Sequence, residues 1–147
     1  MKVICKYFLL LATFWLLSLI GLGQQVPANE TKQIKSSPAF AEILLRKTEL
    51  LADLEAVLAD YTESSPKIMD LRFEIASLDR SLEKIFAVKP ADAGKLTLAL
   101  GKLIVRRASL DGERERLTRS YSKDHPEVKR ARRRVEVFDL AIKEILQ

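Results

Sequence analysis

The sequence predicts an all-α protein in which an N-terminal signal peptide precedes two tandem antiparallel helical hairpins, four coiled-coil-like helices in all. Apolar residues recur at steps of three and four through most of residues 38–147, which is the period of an amphipathic helix. Pro66 and Pro126 interrupt this pattern in the middle of each half. A shift of 60 positions superimposes the two prolines and the apolar residues around them, which indicates an internal repeat.

Residues 1–23 have the composition of a signal peptide. Lys2 and Lys6 make a basic start, and an almost uninterrupted apolar run fills residues 7–22. Small residues then lead to an expected cleavage site after Gly23. We therefore expect an exported protein, periplasmic or secreted, that is soluble once the signal peptide is removed.

Two alternatives to this cleavage stay open. The signal peptidase could cut after Ala28, or the segment could stay in place as a membrane anchor. The second is less favoured, because the apolar run is shorter than the roughly 20 residues that cross a bilayer comfortably. Cys5 precedes the run, so it does not occupy the position of a lipoprotein's lipid-bearing cysteine. Export would remove nucleic acid from the available partners.

Composition excludes several classes of protein. With 48% hydrophobic and 31% charged residues, the chain can form a packed fold and is not disordered throughout. The single histidine, His125, has no cysteine near it with which to form a zinc site. No Gly-x-Ser-x-Gly nucleophile motif occurs. We predict a non-enzyme without metal or cofactor.

The chain divides by composition into five segments. After the signal peptide, the polar and unpatterned residues 24–37 are predicted to be a flexible lead-in. Residues 38–86 form the first hairpin, residues 87–94 a linker, and residues 95–147 the second hairpin. Ser37 and Pro38 supply a cap and a first-turn proline for the first helix.

Each predicted helix carries an apolar stripe. In the first helix the stripe comprises Phe40, Leu44, Leu51, Leu54, Leu58 and Tyr61, widened by Ile43, Leu50 and Val57. In the second it comprises Ile68, Leu71, Ile75, Leu78, Leu82 and Ile85, and the fourth helix repeats it as Val128, Ala131, Val135, Phe138, Ile142 and Ile145. Since a residue before proline avoids the helical region, one helix should end by Ser65 and the next should open at Pro66.

The third helix has the least regular stripe. Arg107 and Arg114 occupy stripe positions, and Gly101 and Gly112 lie inside the helix. Each interior glycine costs about 1 kcal/mol relative to alanine. A buried arginine needs a carboxylate partner, and the candidates in the first hairpin are Glu49, Asp53 and Glu55. The sequence leaves open whether the four helices form one bundle or an elongated pair of hairpins that dimerises.

The turn between the third and fourth helices is the most specific local motif. It reads Tyr121-Ser-Lys-Asp-His-Pro126, and Tyr61-Thr-Glu-Ser-Ser-Pro66 is a degenerate copy with Ser65 in place of the histidine. We expect Asp124 to cap the fourth helix, with Glu127 completing a capping box, and His125 to be a turn residue. Tyr61 and Tyr121 are predicted to be core residues bonded to the turn backbone, and sugar contact is the alternative.

The turn resembles the Tyr-(Thr/Ser)-x-x-His-Pro-x-Val segment found in the periplasmic helices of polysaccharide chain-length determinants, also called polysaccharide co-polymerases. The resemblance covers about 40 residues around each turn. It implies a periplasmic coiled coil accessory to the assembly or export of surface polysaccharide. Such proteins normally have a transmembrane helix at each end, and some carry a kinase domain. This sequence shows neither a C-terminal apolar span nor a phosphate loop, so control of chain length is not implied.

Charge differs between the two halves. Residues 24–94 have a net charge of −3, and residues 95–147 have +6. A basic run comprises Lys129, Arg130, Arg132, Arg133 and Arg134. Outside the cytoplasm such a run predicts binding of acidic polysaccharide or an anionic membrane surface, or self-association with an acidic hairpin. A solvated helix face is the alternative.

Together these features predict a scaffold or interaction module of the cell envelope, with protein partners or self-association. A periplasmic holdase chaperone is one alternative function. A peripheral binder of anionic membrane or polysaccharide is the other.

Overall fold

The computed structural model describes residues 28–147, and every regular element in that range is helical, which confirms the all-α prediction. The predicted signal peptide and its cleavage after Gly23 lie outside the described residues. The helices are α1 (Ala28–Lys35), α2 (Pro38–Leu58), α3 (Pro66–Phe86), a 3-10 helix (Pro90–Lys95), α4 (Leu98–Ser120) and α5 (Pro126–Leu146). No helix within residues 28–147 has the length and apolar content needed to cross a membrane.

The two halves begin their helices in the same way, 60 positions apart. Ser37 Oγ accepts a hydrogen bond from Phe40 N at the start of α2, and Thr97 Oγ1 accepts one from Leu100 N at the start of α4, both at 3.3 Å. The bounds of α3 and α5 also differ by 60 at both ends. The repeat read from the sequence therefore corresponds to repeated local structure.

Both prolines occupy the first position of a helix, as predicted. Ser65 and His125 are the N-cap residues before Pro66 and Pro126, and their backbones are extended. A proline costs nothing there because its missing N–H would have no intrahelical acceptor. Helix α2 stops at Leu58, earlier than the predicted stripe, so Tyr61 belongs to the turn.

The helices of each half pack against each other along their lengths. The rings of Phe40 and Phe86 meet at one end of α2 and α3, with centroids 5.7 Å apart, and Val57 packs with Ile68 near the other. Helix α4 packs against α2, α3 and α5. One hydrophobic cluster therefore draws on both halves, and its larger members are Ile43, Leu50, Leu78, Ile85, Leu96, Leu100 and Ile104.

The predicted stripe of α2 is wrong in part, because two of its leucines are exposed while the residues expected to widen it are buried. The structure buries Ile43, Leu50, Leu54 and Val57, whereas Leu44 and Leu51 are exposed. The sequence contains two adjacent apolar stripes on this helix and cannot rank them. Helices α3 and α4 both pack on the side of Ile43, which leaves the neighbouring stripe facing outward.

Gly101 allows α2 and α4 to approach closely. A Cβ atom at this position would lie 2.9 Å from Glu42 Cβ and 3.0 Å from Ala39 Cα. Ala39 is itself fully buried, so small residues face each other at this contact. The interior glycine is thus a packing requirement, whereas Gly112 has open space around it.

Two segments predicted to lack structure contain helices. Residues 28–35, part of the predicted lead-in, form α1, and residues 90–95, part of the predicted linker, form the 3-10 helix. The two elements pack against each other, and Ile34 is buried in the main cluster. Burial of this single apolar side chain fixes a segment whose composition is otherwise polar.

Candidate functional site

A partly buried polar cluster lies where α3, α4 and α5 meet. Its central residue is Arg107 on α4, whose Nε donates to Asp139 Oδ1 on α5 at 2.9 Å. Its Nη1 donates to Ser77 Oγ on α3 at 3.2 Å and to Asp111 Oδ2 at 3.3 Å. Ser77 is fully buried. One guanidinium therefore joins three helices, which the planar fork of donors in arginine makes feasible.

Asp111 is the most buried charged residue within residues 31–147, with 4% of its surface exposed. Arg107 and Arg114 flank it, and Arg114 Nη2 lies 2.7 Å from Asp111 Oδ1, in close ionic contact without hydrogen-bond geometry. A carboxylate is buried at high cost unless cations compensate it. Asp111 and the two arginines therefore stabilise one another. We call Ser77, Arg107, Asp111, Arg114 and Asp139 the polar cluster.

The predicted partners of the two stripe arginines were wrong. Glu49, Asp53 and Glu55 of α2 do not bind Arg107 or Arg114; Asp111 and Asp139 do. The local signal was available, since Asp111 lies four residues after Arg107 and three before Arg114, which are the spacings of neighbours on a helix surface. The contact of Arg107 with Ser77 has no signature in the sequence.

The first half contains a partial counterpart of the cluster. Lys47 Nζ lies 2.5 Å from Asp79 Oδ1, and both residues stand 60 positions before Arg107 and Asp139. Leu51, the counterpart of Asp111, is apolar. The first half thus keeps the ion pair between its two helices and lacks the buried carboxylate.

Arg46 forms a second link between α2 and α3. Its guanidinium binds Glu74 at 3.1 Å and Glu49 at 3.2 Å. Burial alone would lower the pKa of Arg46, but the hydrogen bonds and charges of Glu49 and Glu74 outweigh it, and the pKa is raised above its ordinary value. The residue therefore stays charged.

His125 caps α5, and this corrects the predicted capping box. Glu127 N donates to His125 Nδ1 at 3.3 Å, while Asp124 is almost fully exposed and pairs with Lys129 at 3.2 Å. The side chain of Glu127 binds Arg130. The imidazole takes the role because it directly precedes Pro126, where its Nδ1 reaches the first free N–H groups.

Neither turn tyrosine is in the core, so that prediction was wrong. Tyr61 and Tyr121 are both about half exposed. The ring of Tyr121 stacks on His125 with centroids 4.2 Å apart, and Lys67 Nζ lies 5.8 Å from the centre of the Tyr61 ring. Each ring thus covers the start of the following helix and leaves one face open to solvent.

The basic run on α5 is divided between internal pairs and free side chains. Lys129 binds Asp124, Arg130 binds Glu127, and Arg134 binds Glu113 at 3.2 Å. Arg132 and Arg133 are exposed and make no ion pair within residues 28–147. Within the basic run, Arg132 and Arg133 are therefore the residues whose charge is not compensated by an ion pair in the described part of the chain.

The two turns lie at the same end of the molecule. Asp70, near the start of α3, binds Arg119 and lies 3.8 Å from Arg116, both near the end of α4. The structure thereby brings the degenerate turn and the histidine turn together. Sequence reasoning missed Asp70, since its partners lie in the other half.

No group of His, Cys, Asp or Glu side chains within residues 28–147 is arranged to hold a metal ion. Comparison with known proteins found no family model, curated protein or solved structure that matches the chain. The candidate site is therefore described by its own geometry alone.

Proposed function

We propose that the protein is a non-enzymatic scaffold or interaction module, exported to the cell envelope and built from two tandem antiparallel helical hairpins. The observation that carries this proposal is the polar cluster. Its charged members form ion pairs with one another, and Arg107 joins three helices, so this set of ionisable groups has a structural task. Rigid helices with exposed outer faces then remain as the functional surface.

Export is supported by residues 1–23, and the envelope role by the resemblance of the Tyr121–Val128 segment to polysaccharide chain-length determinants. We therefore propose a periplasmic coiled-coil protein accessory to surface polysaccharide assembly or export. Cell fractionation with N-terminal sequencing tests the first part, with Gln24 expected as the first residue of the mature chain. A cytoplasmic protein that keeps Met1 would contradict it.

The polysaccharide role is tested by deletion and complementation. A strain without the gene should display less surface polysaccharide or a changed size distribution, and the wild-type chain should restore it. A variant with Tyr121→Ala and His125→Ala tests whether the turn is responsible, because both rings stack at the surface. Unchanged polysaccharide in the deletion strain would contradict the role.

A second candidate function is binding to an anionic surface, favoured by the exposed Arg132 and Arg133. Each basic residue near an anionic surface contributes about 1 kcal/mol to binding. The variant Arg132→Glu/Arg133→Glu should therefore abolish cosedimentation with phosphatidylglycerol vesicles, and Lys67→Glu, on the opposite half, should have little effect. Equal binding by both variants would contradict this function.

A further inference from the structure

The contact between the first helix pair (α2 and α3) and the second (α4 and α5) has a defined set of residues, which we call the junction. Ser77 binds Arg107, Asp70 binds Arg119, and Gly101 lies against Glu42. The junction joins two units whose first helices begin 60 positions apart and whose second helices have bounds that differ by 60 at both ends. Subtracting 60 from the number of a junction residue in the second pair gives the equivalent position at the upstream end of the molecule. Adding 60 to the number of a junction residue in the first pair gives the equivalent position at the downstream end.

The second helix pair contacts the first through one surface of α4. The equivalent surface of the first helix pair lies on α2, at the upstream end of the molecule, and it is exposed. Gly101, Ile104, Ala108 and Asp111 of α4 are all buried. The residues 60 positions earlier are all exposed, and they comprise Ala41, Leu44, Thr48 and Leu51 of α2. We call these four the upstream face. Two of them, Leu44 and Leu51, belong to the stripe that the sequence predicted to be core.

The downstream end is the counterpart on the second helix pair. Adding 60 to the numbers of Glu42, Asp70, Ser77 and Ser81, which lie at or beside the junction, gives four residues of α4 and α5. These are Lys102, Arg130, Val137 and Ala141, and we call them the downstream face. Ser77 is fully buried, whereas Val137 is 63% exposed. The first helix pair is thus covered at a place where the second is open.

We propose that a second copy of this chain occupies the downstream face with its own upstream face. The contact resembles the junction within one chain, but its helices lie further apart, because Ala41 stands where the junction has Gly101. Repeat arrays bury a continuous core by stacking, and their terminal repeats normally carry a polar outer surface. Here the first repeat carries leucines on its outer surface instead. A stacked copy covers Leu44 and Leu51 as the first helix pair covers the equivalent residues Ile104 and Asp111 of the second.

Charge selects this head-to-tail arrangement over pairing of two upstream faces. Asp70 meets Arg116 and Arg119 at the junction, so Arg130 of one copy would meet positions 56 and 59 of the next. Those positions are alanines, Ala56 and Ala59, which are next to the acidic residues Glu55 and Asp60 in the sequence, so Arg130 gains acidic neighbours rather than a direct ion pair. The net charges of −3 for residues 24–94 and +6 for residues 95–147 act in the same direction over longer range.

Such a contact is heterologous, because different surfaces of the two copies meet. Heterologous contacts generate open arrays, or rings where the rotation closes. The inference names the partner for the scaffold proposed above and rests on that proposal for its biological meaning. Its experiment uses purified protein, so it can fail while export and the envelope role stand, and the reverse also holds.

The test uses two variants, one with the upstream face blocked and one with the downstream face blocked. Leu44→Glu blocks the upstream face and Val137→Glu blocks the downstream face, and both positions are exposed, so folding should be retained. By size-exclusion chromatography with light scattering, the wild-type mass should rise with concentration. Each variant alone should be a monomer, and their equimolar mixture should form a dimer and nothing larger. Met69→Glu, an exposed position outside both faces, should behave as wild type.

Other outcomes overturn the proposal. A monomeric wild type at about 100 μM, or association of the Val137→Glu variant alone, would exclude head-to-tail stacking. A cysteine pair provides a second measurement that does not depend on the glutamate variants. In a Cys5→Ser background, copies with Ala41→Cys and copies with Lys102→Cys should form a disulfide only when mixed. The equivalent residues Gly101 and Glu42 lie against each other at the junction, and the wider spacing between copies leaves room for the Cβ separation of about 3.8 Å that a disulfide needs. A disulfide in the Ala41→Cys sample alone, or none in the mixture, would also overturn it.

Discussion

Arg107 Nε lies 2.9 Å from Asp139 Oδ1, and Lys47 and Asp79 form the same link 60 positions earlier. Both pairs join the two helices on either side of a proline turn. The second differs because Arg107 also binds the buried Asp111 and the buried Ser77. One ion pair has thereby been extended into a cluster that ties the second half to the first.

Asp111→Ala should lower the free energy of unfolding by about 2–3 kcal/mol, since it leaves two partly buried arginines without their shared carboxylate. Urea denaturation followed by circular dichroism measures the change. Asp124→Ala, at an exposed carboxylate, is the matched control and should change stability by less than about 0.5 kcal/mol. Equal effects would show that burial of Asp111 does not contribute.

Gly101→Ala should destabilise the protein even though alanine favours helix by about 1 kcal/mol over glycine. The new methyl group would lie 3.0 Å from Ala39 Cα, so the backbones of α2 and α4 would have to separate. Gly112→Ala meets nothing within 4 Å and should raise stability. Opposite signs in the thermal midpoints of the two variants are expected, and a gain at both positions would contradict the close approach of the helices.

Ser37→Ala and Thr97→Ala should each lower the free energy of unfolding by about 1 kcal/mol, since each removes a side-chain acceptor from a helix N-terminus. Ser65→Ala is the control, because the Ser65 side chain makes no capping hydrogen bond. Urea denaturation measures the free energy of unfolding of the three variants, and its dependence on urea concentration should be the same for all three. Similar losses at all three positions would indicate a general effect of serine or threonine removal.

Ile43→Ala should lower the free energy of unfolding by about 3 kcal/mol, and Leu44→Ala should lower it by less than about 1 kcal/mol. The reason is that Ile43 is fully buried, whereas Leu44 is 44% exposed. These adjacent residues decide between the two stripes of α2. The comparison should be made at low protein concentration, where contacts between copies are absent. A larger loss of stability in Leu44→Ala than in Ile43→Ala would indicate that the stripe with Leu44, which the sequence favoured, is the buried one.

His125→Ala should lower the free energy of unfolding by about 1 kcal/mol, because α5 loses its N-terminal cap. His125→Asn should lower it less, because the asparagine side chain also offers an acceptor to the N-terminal N–H groups. Asp124→Asn should have little effect on unfolding. Loss at Asp124 with none at His125 would reinstate the capping box expected from the sequence.

The all-α fold, the positions of four long helices and the repeat were all accessible from the sequence. Pro66 and Pro126 made this possible, since proline acts locally through its fixed φ and its missing N–H. The stripes of α3 and α5 were also predicted well, because each contains a single run of apolar residues. Helix α1 was missed because one buried residue, Ile34, fixes it in place.

The candidate site was harder to predict because its contacts join distant parts of the chain. The spacing of Arg107, Asp111 and Arg114 is local and could have revealed their pairing. The approach of Ser77 to Arg107 and of Asp70 to Arg119 depends on how the second half lies on the first. No periodicity in either half encodes that placement.

By itself the sequence determined where the chain is helical and where it breaks, because these properties arise from neighbours a few residues apart. Only the tertiary structure decided which of two apolar stripes on α2 is core and which carboxylates neutralise Arg107 and Arg114. These outcomes follow from the side on which α4 packs. That choice depends on how apolar surface and charges from several helices fit together, so no single helix contains the information to make it.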